Sequence, residues 1–217
     1  MPASRTELLR QAVEADILEG RLAPGDPIDD TALMAAHGVS RTPVREALIL
    51  LAQQGLVDIL PRAGIRVRRP AAPELVALLE CLAELEAVCA RLAAQRIGGP
   101  ARAVLQQAQQ RAAAAAAADD RAAYAAANAD FHDTLYAASG NPVLVEQLRG
   151  VRKRLAAFRR HVMDTPGRLQ AASAEHVRIL DAVLAGRPDD AWQAMHEHIL
   201  RKGSAVAEVV LVAAGAG

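Results

Sequence analysis

The sequence predicts a mainly α-helical protein in two parts: a small N-terminal module of short helices closed by a β-hairpin, then an all-helical bundle of six to seven helices. Three observations predict it. Alanine is abundant while aromatic residues make up 2% of the chain, a balance that favours helices packed through small side chains over sandwiches or barrels. Apolar residues recur at spacings of three and four through most of the chain, the period of a helix with one buried face. Only between Leu56 and Arg68 do apolar and polar residues alternate as they do in strands.

In chain order, Leu8, Leu9, Ala12, Val13 and Ile17 place an amphipathic helix over about residues 5–19, ended by Gly20, before a tight turn at Leu22-Ala23-Pro24-Gly25. Asp29 or Asp30 caps a second helix through Ala36; Gly38 breaks it, and Ser40 caps a third that runs to Gln54 and stops at Gly55. Leu56 to Leu60 and Ile65 to Arg68 flank Pro61-Arg62-Ala63-Gly64 as two strands and their turn. Beyond Pro70-Ala71-Ala72-Pro73 the pattern is purely helical. Breaks at Gly98-Gly99-Pro100, Ala118-Asp119-Asp120, Ser139-Gly140-Asn141-Pro142, Pro166-Gly167 and Gly186-Arg187-Pro188 divide it into six helices. The alanine run from Ala112 to Ala118 belongs inside a helix, where its propensity is highest. These breaks predict an N-terminal domain over 1–70 and a helical domain over 71–217.

Charge narrows the function classes. The 25 basic and 25 acidic residues cancel, so no field of the whole protein draws it to nucleic acid or membrane, and any basic surface is local. The opening residues lack a basic stretch followed by an apolar one, and no uncharged run reaches the roughly 18 residues of a membrane span. A cytoplasmic protein with no membrane partner is expected. Cys81 and Cys89 lie about 12 Å apart along one predicted helix, too far to bond each other, and are expected as free thiols.

The local basic surface lies between Gly38 and Arg69, where Arg41, Arg45, Arg62, Arg66, Arg68 and Arg69 face only Glu46 and Asp58. Within it, Gly38-Val39-Ser40-Arg41-Thr42-Pro43-Val44-Arg45-Glu46-Ala47-Leu48 has the properties of a helix laid in a DNA major groove. Val44, Ala47, Leu48 and Leu51 form its inner stripe, while Arg41 and Arg45, four apart, share the outer face and can reach guanine edges or phosphates. Taken singly, each arginine reads first as a charge solvating a helix face or the hairpin. Their combination with two short helices and a hairpin points to a helix-turn-helix.

The segments Gly20 to Gly25, Gly38 to Leu48, Gly55-Leu56-Val57 and Pro61 to Val67 resemble the GntR superfamily winged helix-turn-helix. The resemblance implies that Ser40, Arg41, Thr42 and Arg45 contact double-stranded operator DNA, and that the wing around Arg62 and Gly64 enters a minor groove. Two positions depart from the family pattern: Thr31 stands where relatives often carry arginine, and the usual Arg-Gly of the wing tip reads Ala63-Gly64, with Arg62 one place earlier.

In the helical half, Asn128 and His132 sit one turn apart, while His176 and His198 fall on two later helices. Three imidazoles and one oxygen donor suit a divalent ion such as zinc, nickel or manganese, although scattered histidines more often cap, pair or face water. Residues from about 74 to 207 resemble the FCD domain of FadR-type GntR regulators through Phe131-His132-Asp133-Thr134-Leu135, Ser139-Gly140-Asn141-Pro142 and Glu175-His176. That resemblance implies a metal held by Asn128, His132, His176 and His198, with Asn128 standing where the family often has aspartate. It also implies a small-molecule effector, commonly an organic acid held by an arginine of the first domain helix, yet Leu82 occupies that position here. Arg152, Arg159 and Arg178 are the remaining basic candidates.

Together these features predict a homodimeric, metabolite-responsive repressor with two recognition helices about one helical turn apart on an inverted repeat. Two alternatives stand beside it. One is a metal-dependent hydrolase or lyase using the histidines, which lacks a His-Glu-x-x-His motif, an activated nucleophile or a catalytic carboxylate pair. The other is a dimerising DNA-binding protein whose histidines bind nothing.

Overall fold

The chain opens on a helix whose two ends are written in its sequence. In a computed structural model that describes residues 4–159 and 167–214, with side chains over 4–156 and 167–201, α1 spans Arg5–Glu19. The Ser4 hydroxyl accepts from the Glu7 amide, and Gly20, at φ 76°, turns the chain out of the helix while its N–H bonds to Ile17 O. That left-handed conformation is one glycine adopts without steric cost.

The rest of the N-terminal module comprises β1 (Pro27–Ile28), α2 (Asp30–His37), α3 (Arg41–Gln53), β2 (Val57–Leu60) and β3 (Gly64–Val67). Leu9, Val13 and Ile17 of α1 bury against Val44, Ala47, Leu48 and Leu51 of α3, and Ile28, Val57 and Val67 of the sheet close the same core. Each leucine taken out of water here contributes about 2 kcal/mol. The strands pair antiparallel in the order β1-β3-β2, with Val57 opposite Val67, Ile59 opposite Ile65 and Ile28 opposite Ile65. The hairpin of β2 and β3 is the one the alternation predicts. β1 is an addition to it, a two-residue strand at the end of the turn expected around Pro24.

Six helices follow: α4 (Ala72–Arg96), α5 (Gly99–Ala117), α6 (Arg121–Ala138), α7 (Pro142–Arg159), α8 (Arg168–Leu184) and α9 (Pro188–Ala214). The expected mainly helical class, with its small sheet confined to the N-terminal part, is what the chain adopts. α4 packs along α9, α6 and α8, while α5 packs on α6 and α8, and α8 on α9. Small residues allow these helices to approach closely. Ala83, Ala87, Ala90 and Ala93 of α4 are fully buried, and the alanine run supplies Ala112, Ala115 and Ala116 to a core with Tyr124, Ala127 and Ala172.

The chain divides into two compact units, Met1–Ala71 with Lys153–Ala157, and Ala72–Arg152 with Phe158–Gly217. Among the described residues, no helix is long and apolar enough to cross a membrane. Cys81 is exposed and Cys89 buried, both as free thiols, and burial pushes the Cys89 thiol up to about 12.

Candidate nucleic-acid interface and candidate metal centre

In the N-terminal unit, α2 begins on Asp29, whose carboxylate accepts from the Thr31 and Ala32 amides, and ends on Gly38 at φ 60°. α3 then starts at Arg41. Ser40 holds the capping position but makes no side-chain cap bond, which corrects the expectation drawn from its residue type. Of the second and third helical amides that a cap hydroxyl normally takes, Pro43 removes the third, and Ser40 does not take the second, that of Thr42. The hydroxyl of Ser40 therefore stays outside the helix's own hydrogen bonding, beside amides that can take an anion.

Ser40, Arg41, Thr42 and Arg45 are all exposed, on the side of α3 opposite the buried Val44, Ala47, Leu48 and Leu51. Arg41 is 64% exposed and makes a long contact, 3.8 Å, to Asp30. The two acids of this stretch are occupied within the module, Glu46 accepting from the Thr6 hydroxyl at 2.9 Å and Asp58 lying 3.5 Å from Arg68. Arg62 and Gly64 are exposed at the hairpin turn, at φ 64° and 86°. A positive φ is unusual for arginine, and it turns Arg62 into the bend that the Ala63 amide closes on Leu60 O.

In the helical unit, His132 of α6, His176 of α8 and His198 of α9 are completely buried, and one ring nitrogen from each lies within 4.8 Å of the others. Nε2 of His176 and Nε2 of His198 are 3.2 Å apart. Tetrahedral bonds of about 2.0 to 2.1 Å set ligand nitrogens roughly 3.4 Å apart, so this pair already has the spacing of two metal ligands. Asn128 lies one turn before His132, and its side-chain oxygen is buried without a hydrogen-bond partner among the described residues. An uncompensated buried oxygen is costly, and a cation is one way to compensate it. The donor set thus fits a divalent ion.

Two carboxylates stand behind the imidazoles. Nδ1 of His198 is 2.6 Å from Oε2 of Glu175, whose two oxygens also accept from Arg168 at 3.1 and 3.2 Å. Nδ1 of His132 lies 3.0 Å from Oε2 of the fully buried Glu86 and 3.2 Å from the Tyr136 hydroxyl. Arg152 completes this group, reaching Glu86 at 3.1 Å, donating to the Tyr136 hydroxyl and covering that ring at 5.4 Å. Phe131 stacks on His176 with ring centroids 4.4 Å apart.

The basic candidates separate. Arg152 lies with the histidine group. Arg178 does not: it is half exposed and pairs with Glu197 at 3.2 Å, because two residues along a helix from the buried His176 carry its side chain to the opposite face. The side chain of Arg159 lies outside the described residues. Glu86, Tyr136, Arg168 and Glu175 had no place in the sequence reading of the site. Glu86 left a trace, since it continues the buried stripe Leu75, Leu79 and Leu82, where a charge requires a partner.

Two family models match the chain: "Bacterial regulatory proteins, gntR family" over residues 5–67 and "FCD domain" over residues 77–201. A relative from Paenarthrobacter nicotinovorans, the "Probable D-xylose utilization operon transcriptional repressor", is 31% identical over 88% of this chain and 84% of its own length. The chain belongs to the GntR family. It is a DNA-binding transcriptional regulator of the GntR–FCD type. Other GntR relatives include the HTH-type transcriptional repressor NanR of Cronobacter sakazakii, 26% identical over 89% of this chain and 82% of its own. The structure of E. coli McbR/YncC shares the fold, with a TM-score of 0.80 over 95% of this chain and 99% of its own, at 21% identity. With these matches, the hydrolase or lyase alternative falls away: the GntR–FCD relatives are regulators, not enzymes.

Proposed function

We propose that this GntR regulator is a cytoplasmic, homodimeric repressor that binds an inverted-repeat operator and is released by a small metabolite. Ser40, Arg41, Thr42 and Arg45 read or grip the major groove, and Arg62 and Gly64 carry the wing to the neighbouring minor groove. Repression as the sense of control draws on relatives named as repressors.

A divalent ion, zinc, nickel or manganese, is held by Asn128, His132, His176 and His198. The observation that carries this reading is the convergence of three buried ring nitrogens within 4.8 Å of one another. When bound, the ion supplies a Lewis-acid centre for an oxygen of the effector. Arg152, part-buried beside Tyr136 and Glu86, is the cation placed to orient that effector, a carboxylate or other polar-oxygen metabolite. Regulation then requires the effector to bind one arrangement of the dimer more tightly than the other.

Metal analysis of the purified protein tests the reading. Wild type should carry about one ion per chain, and His176→Ala should lose it while still binding operator DNA. A full metal complement in that variant removes His176 from the ligand set. No bound metal in wild type, with no stabilisation by zinc or nickel, favours a regulator whose helical unit only dimerises.

A further inference from the structure

A set of three neutral imidazoles and one amide oxygen gives a divalent cation no negative charge. Asn128 is neutral, and burial makes an uncompensated double positive charge expensive. Two carboxylates nevertheless lie one bond network further out, each against the far nitrogen of a different histidine. Glu175 contacts Nδ1 of His198 at 2.6 Å, and Glu86 contacts Nδ1 of His132 at 3.0 Å. Glu175 holds His198 by a hydrogen bond at Nδ1, while Nδ1 of His132 hydrogen-bonds to the Tyr136 hydroxyl at 3.2 Å with the Glu86 carboxylate beside it, so that on both rings Nε2 is the nitrogen available for a metal. Each carboxylate is fixed in turn by an arginine: Glu175 by a two-pronged contact from Arg168, two turns earlier on α8, and Glu86 by Arg152 of α7. Glu86 is fully buried and Glu175 nearly so, a placement that surface charges do not adopt without a purpose or a partner.

We propose that Glu86 and Glu175 are positioning residues of the metal centre: each sets the orientation of its histidine from the Nδ1 side and so aims Nε2 at the ion. The inference rests on the metal reading above. A hydrogen-bonded carboxylate raises the basicity of the imidazole it holds, and removing such a partner typically weakens metal binding by about 10- to 100-fold. Arg152 and Arg168 hold the carboxylates in place and keep the pair of buried charges from standing alone. The two devices are built from different helices, α4 with α6 and α8 with α9, so they act independently on the same ion.

Competition between the full-length protein and a chromophoric chelator for zinc, followed by the absorption spectrum of the cobalt(II)-loaded protein, tests this. Glu175→Gln and Glu86→Gln should each bind zinc about 10- to 100-fold more weakly than wild type and shift the cobalt d–d bands, with Glu175→Asp restoring part of the loss. Asp130→Asn, at an exposed position two residues before His132 on α6, should change neither. Melting of the metal-free variants separates loss of fold from loss of affinity, and Glu175, at the edge of the core, keeps the test available should Glu86→Gln not fold. Wild-type zinc affinity and an unaltered cobalt spectrum in folded Glu175→Gln would overturn the proposal. A wild-type protein that takes up neither ion would instead overturn the metal reading on which it rests.

Discussion

Arg41 and Arg45 owe their position to the buried face of the helix that carries them. Buried Val44, Ala47 and Leu48 fix the orientation of α3, and the guanidinium groups project from the face left over. Arg45→Ala should therefore leave the fold intact and weaken specific operator binding by roughly 1 to 3 kcal/mol if it reads a base; unchanged affinity in a binding titration would remove it from the interface. Two capping positions provide a matched contrast. Asp29 satisfies two amides of α2, so Asp29→Ala should cost about 1 kcal/mol of stability in denaturant unfolding. Ser40 caps nothing, so Ser40→Ala should cost less than about 0.5 kcal/mol while weakening DNA binding. Loss of stability in Ser40→Ala without loss of binding would reverse the role assigned to it. Residue type alone points to a cap bond at Ser40; Pro43, which removes one of the two amides such a bond can use, is the signal in the sequence against it.

At the scale of elements, most of the architecture was legible before any coordinates. The glycines after α1 and α2 mark where those helices stop, and the alternation of Leu56 to Leu60 with Ile65 to Arg68 marks the hairpin, because these signals are local. β1 was not legible: a two-residue strand has no period, and only its pairing with β3 makes it one. The same limit applies to the site. His132, His176 and His198 could be named from their family pattern, but Glu86 meets His132 across 46 positions and Glu175 meets His198 across 23, distances over which spacing says nothing about contact. The wing carries its own prediction. Gly64, at φ 86°, has nothing within 4 Å of where a Cβ would stand, so Gly64→Ala meets backbone strain and no steric clash. It should destabilise the N-terminal unit by about 1 kcal/mol, seen as a lower midpoint in denaturant. An unchanged midpoint would mean that the turn relaxes to another conformation.

At the scale of the whole molecule, the GntR and FCD matches place a DNA-binding unit and an FCD domain in one chain. Net charge gives no guidance here: 25 basic and 25 acidic residues cancel, yet six of the arginines fall between Gly38 and Arg69 against two acids. Binding to DNA should accordingly depend on salt through a few local contacts, with a slope of about −0.9 for each phosphate neutralised. The most direct test of the central claim, that α3 presents Arg41 and Arg45 to a duplex groove, is selection of bound DNA from a random pool by the purified protein and by Arg45→Ala in parallel. Wild type should enrich an inverted repeat with half-sites about one helical turn apart, and Arg45→Ala should lose the preference at one position in each half. No enriched sequence from wild type, or an identical one from the variant, would contradict the account.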